Sequence, residues 1–179
     1  MTPVLVVEQR SVIAAPTADV WARITDPQGI NDELAPLLVM RMPRSARGLT
    51  IDNVPPGRPL GRASLLLLGV LPIESDNLSI ATIEPGRSFH EKSTMVTLRR
   101  WEHERSLTSD AAGCTHLHDR LTFELRAPLA RIPYAPASAR RIVEALFAHR
   151  HQRLVRHFAA RSNSVAQRIR RGVLWWACR

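Results

Sequence analysis

The chain has 179 residues, of which 45% are hydrophobic and 23% charged, with a formal net charge of +9. That length suits one domain with a sizeable core, and the composition is ordinary for a soluble globular protein. The longest apolar run, Leu65 to Leu71, is far short of the roughly 20 residues that cross a bilayer. The opening Met1-Thr2-Pro3-Val4 has no basic leader, and Glu8 and Arg10 interrupt what would be a signal core, so a cytoplasmic location is expected. Cys114 and Cys178 lie far apart and match no metal or redox spacing; no metal and no cofactor are expected.

The charge is unevenly placed. From Arg140 onward there are ten Arg against one acid, Glu144, which accounts for the whole excess, 10 − 1 = +9. Lys92 is the sole lysine among 25 basic residues. A codon bias toward arginine explains that more simply than selection for phosphate recognition.

Val4 to Ile13 reads as a strand that ends at Ala14-Ala15-Pro16. Pro16, Thr17 and Asp19 open a helix carrying Val20, Trp21 and Ile24, and Thr25-Asp26-Pro27 stops it. A short helix follows over Ile30 to Leu34, then a strand over Leu37 to Met42. Pro43 to Leu60 has the Pro, Gly and Arg content of an exposed loop.

Arg62–Leu68, Leu78–Glu84, Ser88–Thr97, Leu98–Ser109 and Thr115–Arg126 each have strand length and turn-bounded ends. Short turns at Glu84-Pro85-Gly86-Arg87 and Asp110-Ala111-Ala112-Gly113 imply an antiparallel meander. In the last strand Leu117, Leu121, Phe123 and Leu125 share one face with Asp119. From Ala137 to about Arg161 a helix carries an apolar stripe through Ile142/Val143, Leu146/Phe147, Leu154/Val155 and Phe158. The expected organisation is one domain over residues 1–161 and a basic, Trp-containing tail over 162–179.

This order, strand, split helix, strand meander, long helix, predicts an α+β helix-grip fold, with a curved antiparallel sheet wrapped around the last helix. The opening Val12-Ile13-Ala14-Ala15-Pro16-Thr17-Ala18-Asp19-Val20-Trp21 with Asp26-Pro27 resembles that of the SRPBCC superfamily, which includes START, Bet v 1-like and polyketide cyclase-like proteins. Trp101-Glu102-His103, Gly113-Cys114-Thr115-His116-Leu117-His118-Asp119 and Phe147-Ala148-His149-Arg150-His151 resemble three further motifs of its bacterial members, in the right order. The resemblance covers roughly Val7 to Ala160. It implies a deep apolar cavity for lipids, polyketides or other hydrophobic molecules, in a superfamily where only a minority are enzymes.

Asp119 is the sharpest oddity, because a carboxylate in an apolar row is costly unless paired or wetted. Either it is a cavity acid that orients a ligand or takes a proton, or it is a structural ion pair, with Arg150 as the expected partner. Trp101 and His103 share a face of their strand, and a register that sets His103 beside Asp119 would make a proton-transfer dyad. His116 and His118 should face away from the core, and His149 and His151 point in different directions on their helix, so no metal set forms.

The expected cavity residues are Trp21, Phe89, Trp101, His103, Asp119, Leu121, Phe123, Phe147 and Arg150, with His103 and Asp119 the candidates for catalysis. Binding of a small hydrophobic molecule, for transport or sequestration, is the leading reading. A cyclase or aromatase acting on a polyketide-like substrate is the alternative. In a third reading the tail around Arg168 to Trp176 docks an anionic membrane or partner, or pairs two copies as a homodimer; specific nucleic-acid binding is not expected.

Overall fold

A computed structural model of the chain describes residues 2–46 and 54–176, the side chains of 162–176 excepted. Seven strands, β1 (Leu5–Ile13), β2 (Leu38–Arg41), β3 (Pro59–Leu67), β4 (Leu71–Glu84), β5 (Ser88–Met95), β6 (Leu98–Ser109) and β7 (Thr115–Leu125), form one antiparallel sheet. Its order is β1-β7-β6-β5-β4-β3-β2. Strands β2 to β7 are thus a simple meander, and β1 returns to pair with β7. Helices α1 (Thr17–Thr25) and α2 (Pro27–Leu34) fill the β1–β2 connection; α3 (Ala127–Ala130) and α4 (Ala135–Trp176) follow β7. This is the helix-grip α+β fold that the element order predicts.

The joint between α1 and α2 is set locally. Pro27 occupies the first turn of α2, and the Asp26 side chain accepts from the Gly29 amide at 2.9 Å. Gly29 has to be small, because a Cβ there would fall 1.8 Å from the Arg23 carbonyl oxygen. The helix therefore begins at Pro27, three residues before the predicted Ile30.

Two elements are longer than their sequences suggest. The stretch Leu71 to Asn77, with a proline, an asparagine and three charged or hydroxyl residues, lacks strand character, yet it is the first half of β4 and pairs with β3 and β5. Cross-strand pairing overrides weak propensity there, and Pro72 sits at a register irregularity near the strand start. Helix α4 runs to Trp176 instead of ending near Arg161. Ser162-Asn163-Ser164 cost only tenths of a kcal/mol each in a helix, too little to stop it. The tail's proposed membrane or self-association role falls on side chains outside the described residues. The middle of the Pro43–Leu60 loop lies outside them too; its start holds a single 3₁₀ turn, Arg44–Ala46.

The core divides by where α4 lies. That helix packs against β1, α2 and α3. At its middle, Leu154 and Phe158 meet Trp21, Ile24, Ile13 and Leu117. Nearer its start, Phe147 meets Val7, Trp101, Leu121 and Phe123. The β1–β7 end of the sheet is closed by these contacts, and space remains between α4 and the β3–β6 wing. No helix among the described residues is long and apolar enough to cross a membrane.

Candidate functional site

That space is a cavity of about 390 Å³, within the range of roughly 300–1,000 Å³ that small-molecule sites occupy. Its walls are apolar: Leu34 from α2, Leu38 and Met40 from β2, Leu60 and Leu65 from β3, Leu78 and Ile80 from β4, and Val143 and Leu146 from α4. Ile142, expected in the buried stripe, lines the mouth and is 67% exposed. The polar lining residues are few, chiefly Glu74 and Asp76 of β4, Glu91 of β5, His103 of β6 and Arg150 of α4.

Of the nine predicted cavity residues, Phe89, Trp101, His103, Phe123, Phe147 and Arg150 line it. Trp21, Asp119 and Leu121 do not. All three sit at the end of the sheet that α1 and α4 fill: Trp21 is packed with Leu117 and Leu154, Leu121 with Val7 and Phe147. Asp119, opposite Gln9 of β1, is fully buried beneath α4.

The register does bring His103 to Asp119. Trp101, His103 and Arg105 alternate inward along β6, and His103 pairs across with Leu121 while Arg105 pairs with Asp119. His103 Nε2 donates to Asp119 Oδ1 at 3.1 Å, and its ring meets Phe89 and Phe147 edge-on at 5.4 and 5.1 Å. Arg150, however, is not the partner of Asp119. Its guanidinium donates to Glu33 Oε2 at 2.9 and 3.1 Å and lies 4.7 Å over the Phe147 ring. Arg150 and His151 are neighbours about 100° apart around the helix, and it is His151 that turns toward Asp119.

Asp119 is saturated. Arg105 donates from Nε to Oδ1 and from Nη2 to Oδ2, both at 2.7 Å, and His151 Nε2 donates to Oδ2 at 3.0 Å. A carboxylate only accepts, so both histidines carry their Nε2 protons toward it, and Ser11 Oγ lies 2.9 Å from the other His151 nitrogen. Burial alone would raise the Asp119 pKa, but the charge of Arg105, then of His103, holds it well below the usual carboxylate range. Burial likewise opposes the charge of Arg105, and the Asp119 and Glu33 carboxylates raise its pKa above the ordinary arginine value.

Arg105 and Glu33, the hub of this network, escape sequence reasoning. Arg105 Nη1 donates to both Glu33 oxygens, at 3.2 and 3.3 Å, although the two lie far apart along the chain. The available signal was the inward alternation of Trp101, His103 and Arg105. Asp76 and Glu91 were missed as well. Burial, then the charge of Glu91, pushes the Asp76 carboxyl up to about 8. Burial acts on Glu91 in the same sense, but the nearby His103, with help from Ser93 and Arg150, brings it below the ordinary value. His103 Nδ1 stands 3.9 Å from Glu91 Oε2.

His116 and His118 point away from the core, to Asp110 at 3.1 Å and Glu8 at 3.4 Å. Among the described residues His90, Glu102 and Glu104 bring ligand atoms within 4.8 Å of one another, but none of them lines the cavity, and exposed acidic side chains often gather this way without an ion.

The architecture matches solved structures across nearly the whole chain. The Zhui aromatase/cyclase from Streptomyces sp. R1128 superposes with a TM-score of 0.68 at 18% identity, covering 89% of this chain and 96% of that one. A START superfamily protein from Mycobacterium smegmatis gives 0.62 at 12% identity, with 87% and 97% covered. A protein from Chromobacterium violaceum gives 0.63 at 12% identity, with 86% and 96% covered. At such identities the likeness is one of fold, and the fold is SRPBCC-like. No curated protein matches the sequence. Residues 11–158 match the model of the family described as Domain of unknown function (DUF8410), and the chain belongs to that family.

Proposed function

We propose that the chain binds a small hydrophobic molecule in the cavity between α4 and the β3–β6 wing, for transport or sequestration. The observation that carries this reading is the cavity itself: about 390 Å³, walled by aliphatic and aromatic side chains, with polar groups confined to a few positions. An empty apolar space of this size forfeits dispersion contacts that a ligand restores. Native mass spectrometry of the purified full chain, followed by solvent extraction, tests it. A discrete apolar molecule that co-purifies, or 1:1 adducts with added naphthalene derivatives, is the expected outcome. A protein that takes up neither would sink the reading.

A second reading, a cyclase- or aromatase-type enzyme on a polyketide-like substrate, has one observation in its favour. His103 lines the cavity while its Nε2 is held by Asp119, so its Nδ1 edge is the one left toward Glu91 and the cavity. Positioned imidazoles of this kind suit proton abstraction beside a carbonyl. His103→Ala would then abolish turnover of a poly-β-keto thioester with the fold intact. Wild-type rates in that variant exclude it.

A further inference from the structure

Exposed apolar side chains gather at one end of the sheet, around the cavity mouth. In an antiparallel meander every second turn falls at the same end, so the β3–β4 turn, the β5–β6 turn and the end of β7 lie together. Glu74, near the start of β4, accepts from the Val96 and Thr97 amides at 2.6 and 3.1 Å, and the Arg126 amide donates to the Thr97 carbonyl at 2.9 Å. The start of α4 reaches this end too, where Ala135 and Ala139 pack on the cluster of Met95, Leu98 and Leu125.

The β3–β4 hairpin exposes Leu68, Val70, Leu71 and Ile73 here, and Val96 stands exposed in the β5–β6 turn. Ile132 and Tyr134, in the link between α3 and α4, are exposed as well. Ile73 of the hairpin and Ile142 of α4 both line the cavity while remaining open to solvent, so the mouth lies between hairpin and helix. Single exposed apolar residues are ordinary, but a group drawn from separate segments around one opening marks a contact surface.

Backbone geometry points the same way. Leu68 and Tyr134 hold φ of +50° and +64°, the left-handed region that glycine or asparagine occupies at less cost. Their side chains are 64% and 85% exposed, so packing within the chain does not compensate for that backbone. Strain kept without an internal gain suits a contact made outside the chain.

The charge beside this surface is positive. From Arg126 to Arg141 the chain carries Arg126, Arg131, Arg140 and Arg141 and no acidic residue. The carboxylates of the adjoining segments are already held: Glu74 by the two turn amides, Glu124 by Arg99 and Arg100, and Glu144 by Arg140.

We propose that this end of the protein docks on an anionic lipid surface, with the β3–β4 turn and the α3–α4 link at headgroup depth and the arginines of that link against lipid phosphates. The surface goes beyond the cavity reading, and the transfer it permits rests on that reading: an apolar ligand passes between bilayer and cavity without entering water. A protein partner seated on the same residues would close the opening.

Co-sedimentation of the full chain with vesicles tests it, using phosphatidylcholine alone and phosphatidylcholine mixed with phosphatidylglycerol. Wild type is expected to bind the mixed vesicles, less tightly as salt rises, and the phosphatidylcholine vesicles at least ten-fold more weakly. Val70→Ser combined with Tyr134→Ser should lower affinity for the mixed vesicles at least ten-fold. Neither residue lines the cavity, so this variant should keep the wild-type melting temperature and its affinity for 2-methylnaphthalene, an apolar probe of the cavity. Arg131→Gln with Arg141→Gln should weaken binding to the mixed vesicles and flatten its salt dependence.

Undiminished vesicle binding by the Val70/Tyr134 variant overturns the proposal and places the contact elsewhere on the chain. Equal binding to the two lipids, or binding to neither, overturns it as well. A wild-type dimer that the same variant converts to a monomer would assign the patch to a second copy instead. None of these outcomes touches the cavity reading, which stands or falls on uptake of an apolar ligand by the wild type.

Discussion

Arg105 and Asp119 face each other across the β6–β7 ladder and are joined by two parallel hydrogen bonds of 2.7 Å, Nε to Oδ1 and Nη2 to Oδ2. Arg105 is 1% exposed and Asp119 0%. The fork geometry uses the planar guanidinium fully, and the remaining Nη1 reaches Glu33 on α2. One buried cation thus ties the sheet to the helix that borders the cavity.

Removing that cation leaves Asp119 with only His103 and His151, and Glu33 with only Arg150. Arg105→Leu is expected to destabilise the protein by about 3–5 kcal/mol, because Asp119 and Glu33 would lose their shared partner in a dry interior. Arg105→Lys should recover only part of this, since an ammonium cannot make the fork. Urea unfolding at pH 7 measures both. A Leu variant as stable as wild type would show that water enters the network freely.

Asp119 should also mark the acid limit of the fold. Its folded-state pKa lies well below the ordinary value, so the folded protein stays ionised where the unfolded chain takes up a proton. The stabilisation is complete above about pH 4, the unfolded titration, and is lost as pH falls toward the folded pKa. Asp119→Asn, less stable than wild type at pH 7, should therefore close the gap below pH 4. Urea midpoints of the two proteins between pH 3 and pH 7 check this; a constant gap would assign the mutation's cost to lost hydrogen bonds alone.

Asp76 carries the opposite sign. Its carboxyl titrates near the ordinary value in the unfolded chain and at about 8 in the fold, where Glu91 and Glu74 add their charge to burial and His103 and Arg150 stand beyond Glu91. Between those limits the folded protein holds a proton that the unfolded chain has released, so stability falls as pH rises through the interval. Asp76→Asn removes that penalty and is expected to stabilise the protein at pH 7 by on the order of 2 kcal/mol, with the gain shrinking toward pH 4. Thermal melts of both proteins across that range are the check, and an unchanged or lower melting temperature at pH 7 would contradict it.

What was readable in the sequence follows from how local each signal is. The β6 and β7 alternations, the turns at Pro85-Gly86 and Gly113, and the α4 stripe are period-2 or period-3.6 patterns inside single segments, and they fixed the meander and the long helix. Asp119 stood out because it broke one such pattern. Its partners could not be read, since pairing with Arg105 depends on the β6–β7 register, and turning His151 instead of Arg150 toward it depends on how the helix is rotated over the strand. Asp76 was hidden for a different reason: Leu71 to Asn77 lacks strand character, so the face on which Asp76 stands was not visible until β3 and β5 flanked it.

The cavity itself can be tested by filling it. Leu78 is buried on β4, packs with Val54, Leu60 and Ile80, and lines the cavity wall. An indole at that position projects into empty space instead of into packed atoms, so Leu78→Trp should cost little in stability while occupying part of the volume that a ligand needs. Overpacking elsewhere in a full core would cost about 1–3 kcal/mol, which is the contrast that makes the experiment informative. The expected result is a melting temperature close to wild type together with at least a ten-fold loss of 2-methylnaphthalene affinity. A large drop in stability would mean that this wall is already in contact with what faces it, and undiminished binding would place the apolar ligand elsewhere on the protein.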